Sequence, residues 1–491
     1  MVDVTIVGAG PVGLWAAAEL ARRGVEVVAI ERLDRPTPYS KALTVHPRTL
    51  EVFGQRGIAR EAIDAGVKIP NGHFGNLKDR MDFSVLDTPY PFTLLYAQED
   101  TEILLERTAR ALGADIRRGQ EVIAVADKGD VVVTTVRSGD STYDIESTYL
   151  IGADGAHSFV RKTIGVDFEG TSPARWGYLG DVALDNPPDR LPLSVANERG
   201  NVLLVPLPKD GLYRFVGNST TLPEDNKLTL EQLRTAVADI TGEDFGIRDP
   251  LWLSRYGDAA RLVSSYRVGR IFLAGDAAHI HLPAGGVGMN VGIQDAANLA
   301  WRIADVIEGL APDSYLDQYH AERRPVGVDL LVATRGQSVL FNYRDDDVLA
   351  LRELLSHFIV TVPAFSKALA ERLAGFSVKY DLPGHPLAGS RAQDLPLIGT
   401  TLFDALHDAR PALVALPEIA VDDDEAKAAF AAHGVAAYSL APQERPEWAG
   451  VTAALIRPDG YVAWATETRD SSVRSEIRDA VVTLRPGRVR Q

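Results

Sequence analysis

Three stretches of the chain combine residue types at spacings that could do chemistry. The first is Gly8, Gly10 and Gly13, a GxGxxG run between an apolar stretch and a helical pattern. There the first glycine allows a tight turn, the second lets a pyrophosphate approach the backbone, and the third lets helix and strand pack closely. Phosphates would then sit at the positive end of the helix dipole. Glu31 ends the next apolar run, at the distance expected of an acid that binds ribose hydroxyls, with Arg32 beside it.

The second stretch is "GADGAHSFVR", Gly152 to Arg161, which holds Asp154 and Ala156 and reads equally as a capped strand-turn-helix or as a ligand-facing turn. The third is "GDAAHIHLPAGGVGMNVGIQDA", Gly275 to Ala296. Asp276 stands just past a buried strand, where open α/β sheets bind ligands. Gly285, Gly286 and Gly288 would let a flat ring approach the backbone. His279 and His281, two apart on an extended segment, face one side, but a zinc or iron site takes three or more ligands and no nearby cluster supplies them, so no metal is expected.

These stretches need elements to hold them. The opening alternates strand, helix and strand, the pattern of a parallel βαβ unit. Residues 1–175 read as the first part of a dinucleotide-binding domain, with a small excursion near 73–94. Residues 176–265 carry short strand-like runs with Pro and Gly punctuation, as in a mainly antiparallel inserted sheet. Residues 266–380 return to the nucleotide-binding domain and then run helical, and 385–491 suffice for a small extra domain. The acidic run at 422–425 reads as a solvated helix start. The expected fold class is α/β: a Rossmann-type domain with an inserted β-sheet domain, a helical segment and a C-terminal domain.

Composition narrows the chemistry. The 491 residues are 46% hydrophobic and 24% charged, as in a globular protein, and the net charge of −16 makes nucleic acid and anionic membrane poor partners. The N-terminus lacks a signal-peptide pattern and no apolar run reaches the ~18 residues of a membrane span, so a cytoplasmic location is expected. The absence of cysteine removes disulfides and thiolate chemistry. There is one GxGxxG, so either the dinucleotide is NAD(P) alone, or FAD is bound and NADPH visits without a domain of its own. NAD has no group that would need the Asp276 stretch; the ribitol and isoalloxazine of FAD do.

"GAGPVG" with Glu31, "GADGAHSFVR", and Gly269 to Trp301 together resemble the three motifs of the single-component FAD-dependent aromatic hydroxylases, in order and spacing over roughly the first 375 residues. "SKALTVHPRTLEVFGQRGI", "NGHFGN" and an extension similar to a thioredoxin fold point toward the hydroxylases of aromatic polyketides, of the angucycline, anthracycline, tetracycline and rifamycin types. The resemblance implies that Asp276 holds the ribitol and that Gly288, Met289 and Asn290 meet the ring through the backbone. It implies that Gln98 lies near the phosphate and ribitol, that Val12, Glu31, Arg32 and Val122 make backbone or adenosine contacts, and that Asp154 and Ala156 lie near the pyrophosphate and NADPH. Lys41 stands where the family commonly has arginine.

The implied activity is an FAD monooxygenase: NADPH reduces the flavin, dioxygen gives a flavin hydroperoxide, and an electron-rich polycyclic phenol takes its distal oxygen. No catalytic base is identifiable, and a homodimer is left open. Epoxidation, Baeyer–Villiger-type insertion, antibiotic inactivation, a plain NAD dehydrogenase and a noncatalytic FAD-fold binding protein are the competing readings.

Overall fold

Four of the six residues of β1 (Val2–Val7) are buried, and the chain turns at Gly8–Gly10 into α1 (Pro11–Arg22) before returning as β2 (Val27–Glu31). Proline at the first helical position loses no hydrogen bond, because that N–H has no helical partner anyway. In this computed structural model, residues 1–37, 39–207, 211–222, 227–343, 345–419 and 430–485 are described. The acidic run at 422–425 lies outside them.

β1 pairs in parallel with β2 on one side and with β3 (Ser141–Gly152) on the other. β4 (Ile271–Leu273) continues the parallel sheet beyond β3, and Asp115–Arg118 continues it beyond β2. The register aligns Val7 with Gly152, and Gly152 with Leu273. The three motifs found in the sequence therefore leave three neighbouring strands at the same carboxyl edge, where α/β sheets bind ligands. On the sheet, α1 packs against both α2 (Gln98–Ala111) and α3 (Gly288–Ile307).

The inserted sheet runs Leu193–Asn197, Gly200–Pro206, Leu212–Ser219, Trp176–Leu184, Ile247–Gly257, all antiparallel. Strand alternation gives it two distinct faces. Tyr178, Val202, Leu204 and Phe215 form a buried core with the helix Leu230–Thr241, which starts with a capping box between Thr229 and Gln232. The intervening residues Leu179, Leu203, Val205 and Val216 face a cavity instead. Ala260–Val263, although adjacent in sequence, belongs to a separate small sheet with Phe168–Thr171 and His279–Ile280.

Three helices follow: α4 (Asp317–Asn342), Asp346–Thr361 and Pro363–Ala374. The last two pack on Leu77, Met81, Phe83 and Leu86 of the 73–94 excursion. In the C-terminal domain, Ala436–Ser439 and Ala412–Ala415 are parallel, while Ala453–Ile456 and Val462–Thr466 add antiparallel, in that spatial order. The helix Val473–Leu484 packs on this sheet, giving a thioredoxin-like arrangement without cysteine. No single helix among the described residues is long and apolar enough to cross a membrane.

Buried ion pairs fasten the C-terminal domain to the first. Asp305 accepts from Arg23 at 2.9 Å and twice from Arg485, at 2.7 and 2.6 Å. Arg457 pairs with Glu322 at 2.8 Å, and Arg48 donates to the Asp459 carbonyl at 2.6 Å. Removing one partner of such a cluster leaves an uncompensated buried charge. Asp305→Ala is therefore expected to destabilise the protein by about 3–5 kcal/mol, read as a lowered urea midpoint; an unchanged midpoint would mean that other contacts hold this interface.

Candidate active site

The glycines of the first motif differ in what surrounds them. Gly8 has φ +102°, and a Cβ there would lie 2.4 Å from the Ala153 carbonyl oxygen of the second motif. A Cβ on Gly13 would lie 2.0 Å from the Gly8 carbonyl oxygen, so α1 can approach β1 only without a side chain at this position. At Gly10 no atom stands within 4 Å, and Gly10, Pro11 and Val12 line a cavity. This is a cradle with an open face at a helix N-terminus, suited to a pyrophosphate.

The third motif faces the same cavity. Asp276, Gly288 and Met289 line it, and the Asp276 carboxylate is exposed to it. Gly288 begins α3, whose first N–H groups have no partner within the helix and supply a second positive end. Below the loop, Asp295 accepts from the Gly275 N–H at 3.1 Å and from Arg323 at 2.7 Å, and lies 2.8 Å from His279 Nε2. His279 is thus a buried partner of a carboxylate. His281 bonds through Nδ1 to the Leu282 carbonyl at 2.7 Å and lines the cavity. Among the described residues no cluster of three His, Asp or Glu could hold a metal.

The other expected site residues fall into two groups. Arg32, Lys41, Gln98, Asp154 and Ala156 line the same cavity; Glu31 and Val122 do not. Glu31 accepts from the Ala9 and Leu33 N–H groups at 2.9 and 3.0 Å and so stiffens the first motif, while Val122 is buried in its strand. Gln98 clasps Ala42, accepting from its N–H at 3.2 Å and donating its own backbone N–H to its carbonyl at 3.0 Å. Asp154 caps a short helix by accepting from Ser158 Oγ and from the Phe159 and Val160 N–H groups. Asn290 turns its side chain away from the cavity, accepting from the His46 N–H and donating to the Thr44 and Gly286 carbonyls.

Arg214, His46 and His73 also line the site, although none is among the residues expected to hold the cofactor. Arg214, paired with Asp181 at 2.6 Å directly across two strands, donates to the Ser40 and Lys41 carbonyls and so fixes the loop that carries Lys41. His46 bridges the Gly285 carbonyl at 2.7 Å and Thr93 at 3.2 Å. His46 and His73 both line the cavity, and burial pushes each down to about 4, so both are neutral at neutral pH.

The cavity measures about 2020 Å³, beyond the ~300–1,000 Å³ of an ordinary ligand site. One end is the glycine cradle with Asp276 and the start of α3. The other is an apolar chamber whose floor is the cross-strand row Leu203, Val216 and Leu179. The open face at Gly10, the helix N-termini at Pro11 and Gly288 and the exposed Asp276 fit the pyrophosphate, ribitol and ring of FAD.

Fold and site are those of an FAD-binding enzyme whose glycine cradle opens into a larger apolar chamber. Residues 1–334 match the FAD-binding domain family, and residues 385–484 match the aromatic-ring hydroxylase C-terminal family. An uncharacterised aromatic compound monooxygenase of Bacillus subtilis is 44% identical over 95% of this chain and 94% of its own. A 12-dehydrotetracycline 5-monooxygenase/anhydrotetracycline 6-monooxygenase of Streptomyces rimosus is 39% identical, covering 97% and 98%. The solved anhydrotetracycline hydroxylase of that organism superimposes with a TM-score of 0.88 at 38% identity, over 98% of each chain. The chain belongs to the FAD-dependent aromatic-ring hydroxylases, a family of flavin monooxygenases.

Two outcomes follow from this geometry. Asp276→Ala should weaken FAD retention about tenfold or more, the loss of a hydrogen bond to a charged group, without lowering the urea midpoint of the FAD-free protein; unchanged retention would displace the ribitol from Asp276. His73, neutral when folded and free to take a proton near pH 6.5 when unfolded, opposes folding progressively as pH falls from about 6.5 to about 4. His73→Asn should therefore flatten the fall in urea midpoint between pH 6.5 and 5, and an unaltered slope would contradict its burial as the neutral form.

Proposed function

We propose that the enzyme hydroxylates a polycyclic phenolic substrate of the aromatic polyketide class, using NADPH as electron donor and dioxygen as co-substrate. One observation carries the reading: the apolar row Leu203, Val216 and Leu179 floors a chamber continuous with the FAD cradle. A flat apolar floor of cross-strand side chains suits a fused ring system lying beside the flavin. The tetracycline substrates in the names of the Streptomyces rimosus relatives support a multi-ring ligand.

Bound FAD supplies the redox chemistry and the activation of dioxygen, for transfer of one oxygen atom to an electron-rich ring. The protein's part is to bind, orient and keep water out. Gly10 and the N-terminus of α1 would hold the pyrophosphate, and Asp276 the ribitol. The backbone of Gly288 and Met289 would meet the ring. Phe341, Leu349 and Leu373, from the three helices after residue 316, line the chamber together with the 71–80 segment and exclude water from it. The single GxGxxG supports an NADPH that visits without a domain of its own.

The test is NADPH oxidation by the FAD-loaded enzyme with and without anhydrotetracycline or a smaller polycyclic phenol, under labelled dioxygen. The expected result is stimulated oxidation and a product carrying one labelled oxygen. Absence of stimulation across such a panel, or oxygen drawn from water, would overturn the reading.

A further inference from the structure

Guanidinium groups in this protein are generally matched. Buried Arg23, Arg48, Arg214, Arg302 and Arg457 each touch a carboxylate, and Arg352 is spent on the carbonyls of Gly75, Asn76 and Leu340. Arg80 is an exception, as is Arg324 outside the cavity, and it is more buried than the other unpaired arginines of the cavity lining, Arg32 and Arg190, which are exposed. It is half-buried in the wall of the substrate end of the cavity, and no hydrogen bond or ion pair joins it to another described residue. Burial lowers its pKa, and no carboxylate offsets that loss, yet a guanidinium stays charged at neutral pH. A cation taken partly out of water without a partner is a cost that a bound anion would remove.

The surroundings have the same sign. Among the described residues three carboxylates line the cavity: Asp154 is committed to its helix cap, Asp276 lies at the cofactor end, and Glu353 is paired with Lys78 at 2.6 Å. None is left for Arg80, in a chain whose net charge is −16. His73 adds a neutral donor beside it. Its Nδ1 accepts from the Asn76 N–H at 3.3 Å, which assigns the ring proton to Nε2. Burial, then the nearby Arg80 charge, then His46 keep the ring neutral.

We propose that Arg80 and His73 form an anion-recognition end of the aromatic chamber, so that the substrate is a ring system bearing an ionised oxygen group. That group is a carboxylate, or a phenol or enol made acidic by a neighbouring carbonyl. The inference rests on the cavity being an aromatic-substrate chamber. It adds a selection rule: apolar shape admits the rings, and one charge-assisted contact fixes which end of the substrate lies away from the flavin.

The experiment uses the full-length FAD-loaded enzyme and two probes, 1-hydroxy-2-naphthoate and its neutral methyl ester. Binding is read from perturbation of the visible flavin spectrum, without turnover. The wild type should bind the acid about tenfold or more tightly than the ester. Arg80→Gln should abolish that preference by weakening acid binding alone, leaving ester binding and FAD retention unchanged, while Arg80→Lys should restore part of it. Equal affinity for acid and ester in the wild type, or acid binding indifferent to Arg80→Gln, overturns the proposal while the aromatic chamber stands. Failure of both probes to perturb the flavin contradicts the chamber itself, and the proposal with it.

Discussion

The buried carboxylate of Asp295 ties the catalytic end of the protein together. It gathers the Gly275 N–H, His279 and Arg323, and Arg323 in turn donates to the Tyr380 hydroxyl at 3.1 Å. Burial alone would raise its pKa, but Arg323 and His279 hold it below the usual carboxylate range. Because Asp295 lies two turns into α3, this cluster makes the Asp276 turn and the start of α3 one rigid piece. Gly292 completes the join, since a Cβ there would stand 3.1 Å from the Gly275 Cα. The cavity-facing Asp276 and the N–H groups at the start of α3 therefore cannot move independently.

The two halves of the cavity are joined by contacts distant in sequence. Arg214, on the inserted sheet, holds the carbonyls of Ser40 and Lys41, and Gln98 holds Ala42. Asn290, at the start of α3, accepts from the His46 N–H and donates to the Thr44 carbonyl. The 40–46 segment is thus pinned from the inserted sheet, from α2 and from α3. Lys41, Ala42, Leu43, Thr44 and His46 of this segment line the cavity, so its fixed position links the part of the lining built by the parallel sheet to the part built by the inserted sheet. The C-terminal domain contributes by bracing, through Arg457 on Glu322 and Arg485 on Asp305.

How much of this could be read in the sequence depended on whether a constraint was local. Gly13 must lack a side chain because Gly8 is five residues away, so the pattern is written in one short run. The parallel core and the three motif turns are legible for similar reasons, while the thioredoxin-like extension and the placing of Gln98 and Lys41 at the cavity come from the family resemblance. Arg214 and Arg80 leave no such trace, because the partners of Arg214 lie far off in the chain and Arg80 has no hydrogen-bond or ion-pair partner among the described residues, and His46, though inside a quoted motif, meets Thr93 and Gly285 only through the fold. The faces of the inserted strands became readable only with the register that sets Leu203 against Val216 and Val216 against Leu179. The same ambiguity placed Ala260–Val263 with the inserted sheet, whereas it pairs with Phe168–Thr171. The two closely spaced histidines do lie on one side, with rings 6.5 Å apart, and His279 is paired with Asp295.

FAD is expected to lie in one continuous cavity from Gly10 to Gly288, with its ring against the apolar chamber. A crystal structure of the FAD-loaded enzyme measures this directly. The expected result is the pyrophosphate over Gly10 at the start of α1, the ribitol beside Asp276, and the ring at Gly288 and Met289 with one face open to Leu179, Leu203 and Val216. A flavin ring bound outside this cavity, or a pyrophosphate away from Gly10, would contradict it.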